Sequence, residues 1–383
     1  MKQIVCMATS PWYPIPTRKQ QVMSRIEDAE ILYFDPSVTY LAPLKDKAAK
    51  KQLSAYRKEG VHPQENITVY ALPPVLPFFS RFRWINRINQ RKIARFVSKK
   101  MREHGFENAT LWVYSPVTCD CVDRIDHSAL VYDCVDRHSA YGGQMSPAVV
   151  DRMEEDLAKK CDFVFATAIG LADRLEQFNR KTRFIPNGAN FERFSQAAEA
   201  MPCPADMADI PQPIFGFVGA LQPCIEYGYV SEAAKAHPEW SFVFIGAEKP
   251  GADLLDLKTL PNVHFLGLKP NEELPKYISN FSACLNLFAA GDLSKDVSPL
   301  KFYEYLATGK PVVSTPQPDQ ILQFAPLIEI ASSPAAFIDA CADALQDTDE
   351  TRKQLRIEEG RKSSWDARVA QMCETLKQEG VWS

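Results

Sequence analysis

The 383-residue chain has no apolar run approaching the roughly 18 residues that a membrane-spanning helix needs. Its first apolar run, Ile4 to Ala8, is short and leads straight into Ser10-Pro11-Trp12-Tyr13-Pro14, which argues against a secretory signal peptide. Ten cysteines are present, yet no two are spaced as Cys-x-x-Cys, and the close pair Cys119-x-Cys121 has no histidine pair beside it. No metal site is expected, and the cysteines read as buried, reduced thiols of a cytoplasmic protein. The chain also lacks internal repeats, low-complexity tracts and a Gly-rich loop after its first apolar run. Net charge is −4 and no nucleic-acid motif is visible, so a nucleic-acid partner is not expected.

What is present is an ordinary globular composition, 46% hydrophobic and 24% charged, in a chain long enough for two cores. The charge is unevenly spread. Residues 1–190 hold 28 Lys and Arg against 21 Asp and Glu, whereas residues 191–383 hold 16 against 27. Two surfaces with different partners are implied. Short apolar runs alternate with helical periodicity throughout. Strands are expected at 4–8, 31–34, 67–71, 110–114, 129–132, 163–167 and 183–185, with helices at 86–103, 148–160 and 170–178. Residues 196–213 carry four prolines and little periodicity, which marks a linker. A second series follows, with strands at 214–218, 241–245, 263–265, 283–287, 312–314 and 327–330. The helices fitting it are 226–236, 272–279, 299–308, 334–346, 350–361 and a last one near 365–379.

This alternation predicts an α/β fold of two doubly wound, Rossmann-like domains. Such sheets bind ligands beyond the carboxyl ends of their strands, so two facing sheets would enclose a central cleft. The expected division is 1–195, a linker at 196–213, a second domain at 214–363, and a final helix at 364–383 crossing back to the first domain.

One stretch carries the strongest chemistry. Residues 291–315 place a polar run before Ser298-Pro299-Leu300-Lys301, then Glu304, Gly309-Lys310-Pro311 and an apolar strand. Ser followed by Pro is a helix-start signal, and Gly309 is a stop. A helix start offers free N–H groups and a partial positive charge to a phosphate. Lys301 lies in the first turn and could neutralise a diphosphate. Glu304, on the same face, could accept both hydroxyls of a ribose. A capped surface helix with a weak Lys301–Glu304 ion pair is the structural alternative.

The stretch resembles the donor-binding signature of the GT-B glycosyltransferases of family four (group 1): an acidic residue, seven residues, Glu, then Gly-Lys-Pro-Val-Val. Asp296 and Glu304 hold the two acidic places, although the family usually has Glu at the first. Similar segments recur at Tyr132–His138, Ala158–Thr167, Ile185–Gly188, Phe217–Ala220 and Phe244–Gly246, so the likeness spans roughly residues 130–315. The sequence is similar to bacterial enzymes that build cell-surface polysaccharides of the teichuronic-acid type. The resemblance implies a nucleotide diphosphate sugar as donor, bound through Gly219, Asp296, Ser298, Leu300, Lys301 and Glu304, with no metal or other cofactor required. It further implies retention of anomeric configuration. Many members carry an Arg and a Lys shortly after the glycine at 219, where this chain has Leu-Gln-Pro-Cys-Ile-Glu.

Further candidates lie in the first half. Asp136 and His138 follow a strand and could polarise an acceptor hydroxyl or orient a sugar; an Asx-rich turn is the alternative. Arg18, beside Lys19, follows the first loop and could reach donor phosphates unless it is salt-bridged. Residues 78–102 hold nine basic and no acidic residues, interleaved with aromatics. Arg81, Arg83, Trp84, Arg87, Arg91 and Lys92 would suit docking on an anionic membrane surface, at about 1 kcal/mol per basic residue. A helix with a solvated basic face is the plainer alternative.

The function expected is transfer of a sugar from a nucleotide diphosphate sugar to a lipid-linked or polysaccharide acceptor, in the cytoplasm or on the inner face of the cell membrane. A nucleotide-sugar epimerase of the same fold, or a non-catalytic subunit that binds sugar nucleotide, are the alternatives.

Overall fold

The computed structural model describes every residue except 15, 48, 141–144, 292, 293 and 383, with backbone alone at 45 and 294. The chain divides into two compact units, Met1–Pro186 with Val369–Ser383, and Asn187–Arg368.

The first unit is built on an eight-stranded sheet. Its strands are β1 (Lys2–Met7), β2 (Ala29–Asp35), β3 (Val61–Gln64), β4 (Ile67–Ala71), β5 (Thr110–Val113), β6 (Ala129–Cys134), β7 (Phe163–Ala166) and β8 (Thr182–Phe184). Their order is β3-β4-β2-β1-β5-β6-β7-β8. All pairs are parallel except β3 with β4. Continuous apolar runs such as Phe163-Val-Phe-Ala166 are buried on both faces, as a parallel sheet covered by helices on both sides requires. Edge strand β3 was not expected, because His62-Pro63-Gln64 reads as loop; an edge is where a strand tolerates proline.

The second unit carries a parallel six-stranded sheet of β9 (Ile214–Val218), β10 (Ser241–Ile245), β11 (Val263–Gly267), β12 (Ala283–Asn286), β13 (Val312–Ser314) and β14 (Glu329–Ile330). Its order is β11-β10-β9-β12-β13-β14. Each sheet reverses its winding direction once, between β1 and β5 in the first unit and between β9 and β12 in the second. The crevice outside the carboxyl ends of those strands is where a doubly wound sheet takes its ligand.

The boundaries differ from the sequence expectation. Residues 187–213 belong to the second unit, and 196–213 is no free linker. Phe191, Phe194, Ala197 and Met207 are buried with Tyr277, Phe281 and Phe302 in one core cluster. At roughly 1.5–3 kcal/mol for each large apolar side chain removed from water, that packing holds the proline-rich stretch down. The last helix, Trp365–Gln378, is shared by the division. Its Val369, Met372 and Leu376 join Ile4, Trp112 and Phe163 in a core cluster of the first unit. Trp382 seals that cluster, donating from Nε1 to Thr110 Oγ1 at 2.9 Å.

Candidate functional site

The helix Leu300–Thr308 stands beside the switch point of the second sheet. It begins one residue later than expected, with Pro299 at the N-cap, and ends at Gly309 in the left-handed conformation (φ 71°). No side chain caps its start. The N–H groups of Leu300 and Lys301 therefore have no acceptor one turn back within the helix. Tyr305 anchors the helix to the sheet: the N–H of Val218, last residue of β9, donates to its hydroxyl at 2.7 Å.

The loop after β9 comes close to the same helix turn. Gly219 has φ 145°, and a Cβ on it would lie 3.0 Å from Lys301 Cε and 3.3 Å from its Nζ. Gly246, after β10, has φ 154°, and a Cβ there would overlap the carbonyl oxygen of Gly219. Both positions need glycine for their backbone angle and for the approach.

Lys301 has its ammonium over two aromatic faces, 4.0 Å from the Phe217 ring centre and 4.8 Å from that of Phe288. Among the described residues it has no carboxylate or carbonyl partner, and Glu304 has no hydrogen-bond donor. The Lys301–Glu304 ion pair that helical spacing permits is not made. Both side chains are half-buried. Burial pushes the Glu304 carboxyl up to about 7, against the pull of Lys301 and Arg193. Burial pushes the Lys301 ammonium down to about 8, against Cys224 and Glu304. Two desolvated groups of opposite charge thus stand one helical turn apart, the ammonium against aromatic faces only and the carboxyl with no hydrogen-bond donor among the described residues. This is the pattern of a site that waits for a ligand rather than of a surface salt bridge.

The neighbouring positions differ from one another. Asp296 lies on a short 3-10 turn and is buried, at 6% exposure. Asp292 and Leu293, in the polar run before it, lie outside the described residues. Ser298 spends its hydroxyl inside the protein, accepting from the N–H of Asn187 at 3.0 Å and from Gln320 Nε2 at 3.5 Å. These bonds fix the loop before the helix. Leu300 is exposed.

In the first unit, Arg18 does not present its guanidinium to a ligand. It is buried, with Nε shared between both Asp133 oxygens at 3.0 and 2.9 Å and Nη1 donating to the Pro186 carbonyl at 3.1 Å. Asp133 is itself inside β6 and fully buried, so the pair is structural. Its neighbour Lys19, which the sequence reading passed over, has the better position. Its Nζ sits 5.6 Å from the Tyr114 ring centre. Burial lowers its pKa, while Asp136 and then Asp133 oppose the shift. Asp136 is exposed just past β6. His138 is half-buried, and its Nε2 lies 3.0 Å from the Tyr114 carbonyl oxygen. A carbonyl only accepts, so Nε2 carries the proton. Burial lowers the His138 pKa, which favours neutral imidazole. Lys19, Asp136, His138 and the Tyr114 carbonyl therefore gather at the carboxyl ends of β1, β5 and β6.

The basic stretch folds as the helix Arg83–Glu103 and its preceding loop. Two of its six candidate residues are held by short contacts, and a third, Arg87, lies 3.8 Å from Asp120 while remaining exposed. Arg83 is paired with Asp120 at 3.1 Å and Asp156 at 2.5 Å, and Lys92 donates to the Pro74 carbonyl at 2.7 Å. Arg81, Arg87 and Arg91 are exposed, as is Trp84 at 62%. Phe82 and Ile88 are exposed beside them. Among the described residues, no helix is long and apolar enough to cross a membrane.

The architecture has known counterparts. A sucrose-phosphate synthase of Thermosynechococcus elongatus superposes with a TM-score of 0.70, at 15% identity, covering 100% of both chains. A trehalose-6-phosphate protein of E. coli solved with UDP-2-fluoro glucose gives 0.70 at 11% identity, covering 98% of this chain and 99% of that one. Anabaena HepE in complex with UDP gives 0.65 at 15% identity, covering 99% of this chain and 100% of its own. In sequence, the family described as Glycosyl transferase-like matches residues 229–374, which include the helix with Lys301 and Glu304. TuaH of Bacillus subtilis (strain 168), named for a glycosyltransferase role in teichuronic acid biosynthesis, is 26% identical over 283 residues, or 70% of this chain and 71% of that protein. The fold is of the GT-B type, and the sequence similarity is to glycosyltransferases. Activity as a transferase fits an arrangement in which the most perturbed cation and carboxylate of the second unit lie beside its switch point.

The burial of Glu304 has a stability consequence. A raised carboxyl pKa contributes stability that is fully present below about 4.5 and is lost as pH rises through about 7. The ligand-free Glu304→Gln variant should therefore melt above wild type at pH 8, with the gap narrowing as pH falls toward 5. Differential scanning fluorimetry across that range reads it. A gap that is absent, or that widens at low pH, contradicts the assigned burial.

Proposed function

We propose that this glycosyltransferase moves a sugar from a nucleoside diphosphate sugar, held by the second unit, to a lipid-linked or polysaccharide acceptor, held by the first. The product is part of a cell-surface polysaccharide and the anomeric configuration is retained. The observation that carries the donor assignment is the unneutralised Lys301–Glu304 pair at an uncapped helix start beside Gly219.

Each part has a chemical task. Glu304, ionised, accepts the two ribose hydroxyls. Lys301 and the N–H groups of the first turn hold the diphosphate. Gly219 lets the backbone approach it without a side chain between. As the bond from the sugar's anomeric carbon to the diphosphate oxygen breaks, that oxygen gains charge, and donors already in place stabilise it without reorganising. Asp296 and Leu300 flank the sugar side. Lys19 takes the supporting role first assigned to Arg18, and Asp136 and His138 orient the acceptor hydroxyl that forms the new bond. UDP in the HepE complex and the naming of TuaH for teichuronic acid biosynthesis support the donor and polymer classes.

The exposed Arg81, Trp84, Arg87 and Arg91 are proposed to rest the protein on the inner, anionic face of the cell membrane. Aromatic and cationic side chains on one helix face suit that interface.

A thermal-shift panel of nucleoside diphosphate sugars tests the donor site. One donor class should raise the melting temperature of wild type, by an amount that grows with the logarithm of concentration above the Kd. Glu304→Ala and Lys301→Ala should lose that rise. Equal shifts in wild type and both variants would remove Lys301 and Glu304 from the site. Co-sedimentation with phosphatidylglycerol vesicles tests the membrane face. Wild type should pellet with them, less at high salt, and the combined Trp84→Ala, Arg87→Ala, Arg91→Ala variant should remain in solution. Equal pelleting of the two proteins would exclude this face.

A further inference from the structure

The first unit holds a cavity of about 180 Å3 at its own switch point. It lies beyond the carboxyl ends of β1, β2, β4 and β5, roofed by the helix Arg83–Glu103 and the loop leading into it. The walls are hydrocarbon: Met7, Leu72, Val75, Phe79, Ile93 and Val117. For scale, an apolar cavity of about 150 Å3 in another protein binds one benzene ring. The space therefore suits one ring or a short branched chain.

Two features separate this cavity from a packing defect. First, the polar side chains on its helical wall are mostly committed to fixing that wall. Asn86 Nδ2 donates to the Val117 carbonyl at 2.8 Å and to Asp120 Oδ2 at 2.8 Å. Asn89 brackets the backbone of Leu76, accepting from its N–H at 2.9 Å and donating to its carbonyl at 3.0 Å. Gln90, only 4% exposed, donates to Asn86 Oδ1 at 3.3 Å, which leaves its Oε1 buried with no partner. Ser37 Oγ, across the cavity, is also buried with no partner. A buried acceptor left unpaired is costly, and a ligand hydroxyl would recover that cost. Second, the loop that supplies Val75 and Phe79 is bent to do so. Phe78 adopts φ 63°, unusual for an aromatic residue, and its ring is exposed while Phe79 turns inward. Strain of this kind persists where the surroundings impose it. The same loop exposes Leu76 and Phe82, and Arg81 stands next to Phe82.

We infer that this cavity seats the hydrocarbon part of an amphipathic acceptor, the first carbons of an alkyl or prenyl aglycone. Gln90 Oε1 and Ser37 Oγ accept hydrogen bonds from hydroxyls of the sugar attached to it. The apolar walls exclude an all-sugar occupant, whose hydroxyls would lie unpaired against Leu72, Val75 and Ile93. The exposed apolar loop beside an arginine fits a ligand drawn from a lipid surface. The inference rests on the proposed transferase reading for calling the occupant an acceptor, and it decides between the two acceptor classes in favour of the lipid-linked one.

The test uses the full chain with 13C-labelled Met and Ile methyl groups and no nucleotide. Octyl β-D-glucoside, kept below its micelle concentration, is titrated against methyl β-D-glucoside. The Met7 and Ile93 methyl resonances should shift saturably with the octyl compound and stay still with the methyl compound. The exposed Ile88 methyl should not follow them. Val117→Phe, which fills the cavity, should weaken octyl glucoside binding by at least about tenfold, the scale on which overpacking acts. Should that variant fail to fold, Thr9→Leu adds bulk to the same wall from the end of β1. Shifts confined to Ile88, no shifts at all, or unchanged affinity in the filled variant would each overturn the inference. Because neither probe carries a nucleotide, failure here leaves the donor thermal shift standing, and failure of the thermal shift leaves this result standing.

Discussion

The structure of the second unit turns on two charges that do not meet. Lys301 and Glu304 sit one helical turn apart, half-buried, and neither is neutralised by the other. Burial drives the lysine toward losing its proton and the carboxyl toward keeping one. The surrounding elements hold this costly arrangement in place. Tyr305 fastens the helix to the end of β9, Gly246 packs against the carbonyl of Gly219, and Gly219 in turn lies against the Lys301 side chain. The rings of Phe217 and Phe288 are the cation's direct neighbours. A nucleoside diphosphate sugar offers what both groups lack, phosphate charge for one and paired hydroxyls for the other. Such sites trade stability of the empty protein for binding.

The first unit uses a similar fold differently. Its buried cation, Arg18, is fully committed to Asp133 and to the backbone of Pro186, so it locks the strand ends together. Lys19, Asp136 and His138 lie on one side of the switch point and the apolar cavity on the other. This division suits a partner that is less charged than a nucleotide. It also fits the basic character of residues 1–190, much of which is carried on the outer face of one helix rather than in the site.

Local rules explain why much of the architecture was legible in the sequence. Continuous apolar runs such as Ile214–Val218 have one good solution, a strand buried on both faces. Pro299 and Gly309 punctuate the helix Leu300–Thr308, so its place could be read directly. The misses are all decided by distant residues. Arg18 and Lys19 are adjacent and chemically alike; which is consumed depends on Asp133, 115 residues away. Arg83 looked like its exposed neighbours until Asp120 and Asp156 paired with it. The proline-rich stretch after residue 195 read as linker because Met207 and the preceding phenylalanines find their partners in Tyr277 and Phe302. The cavity roofed by Asn86, Asn89 and Gln90 could not be seen either, since its walls come from four strands and one helix.

The claim that Lys301 and Glu304 bind the donor predicts a specific movement of protons. On binding, Lys301 should be drawn into its charged form and Glu304 into its ionised form. Calorimetry of a stabilising nucleoside diphosphate sugar, repeated in buffers of different ionisation enthalpy, counts the protons exchanged. Wild type should take up protons at pH 8.5 and release them at pH 6.5. Lys301→Met should lose the uptake, and Glu304→Gln should lose the release. Binding with no proton exchange at either pH, or exchange that persists unchanged in both variants, would contradict the account.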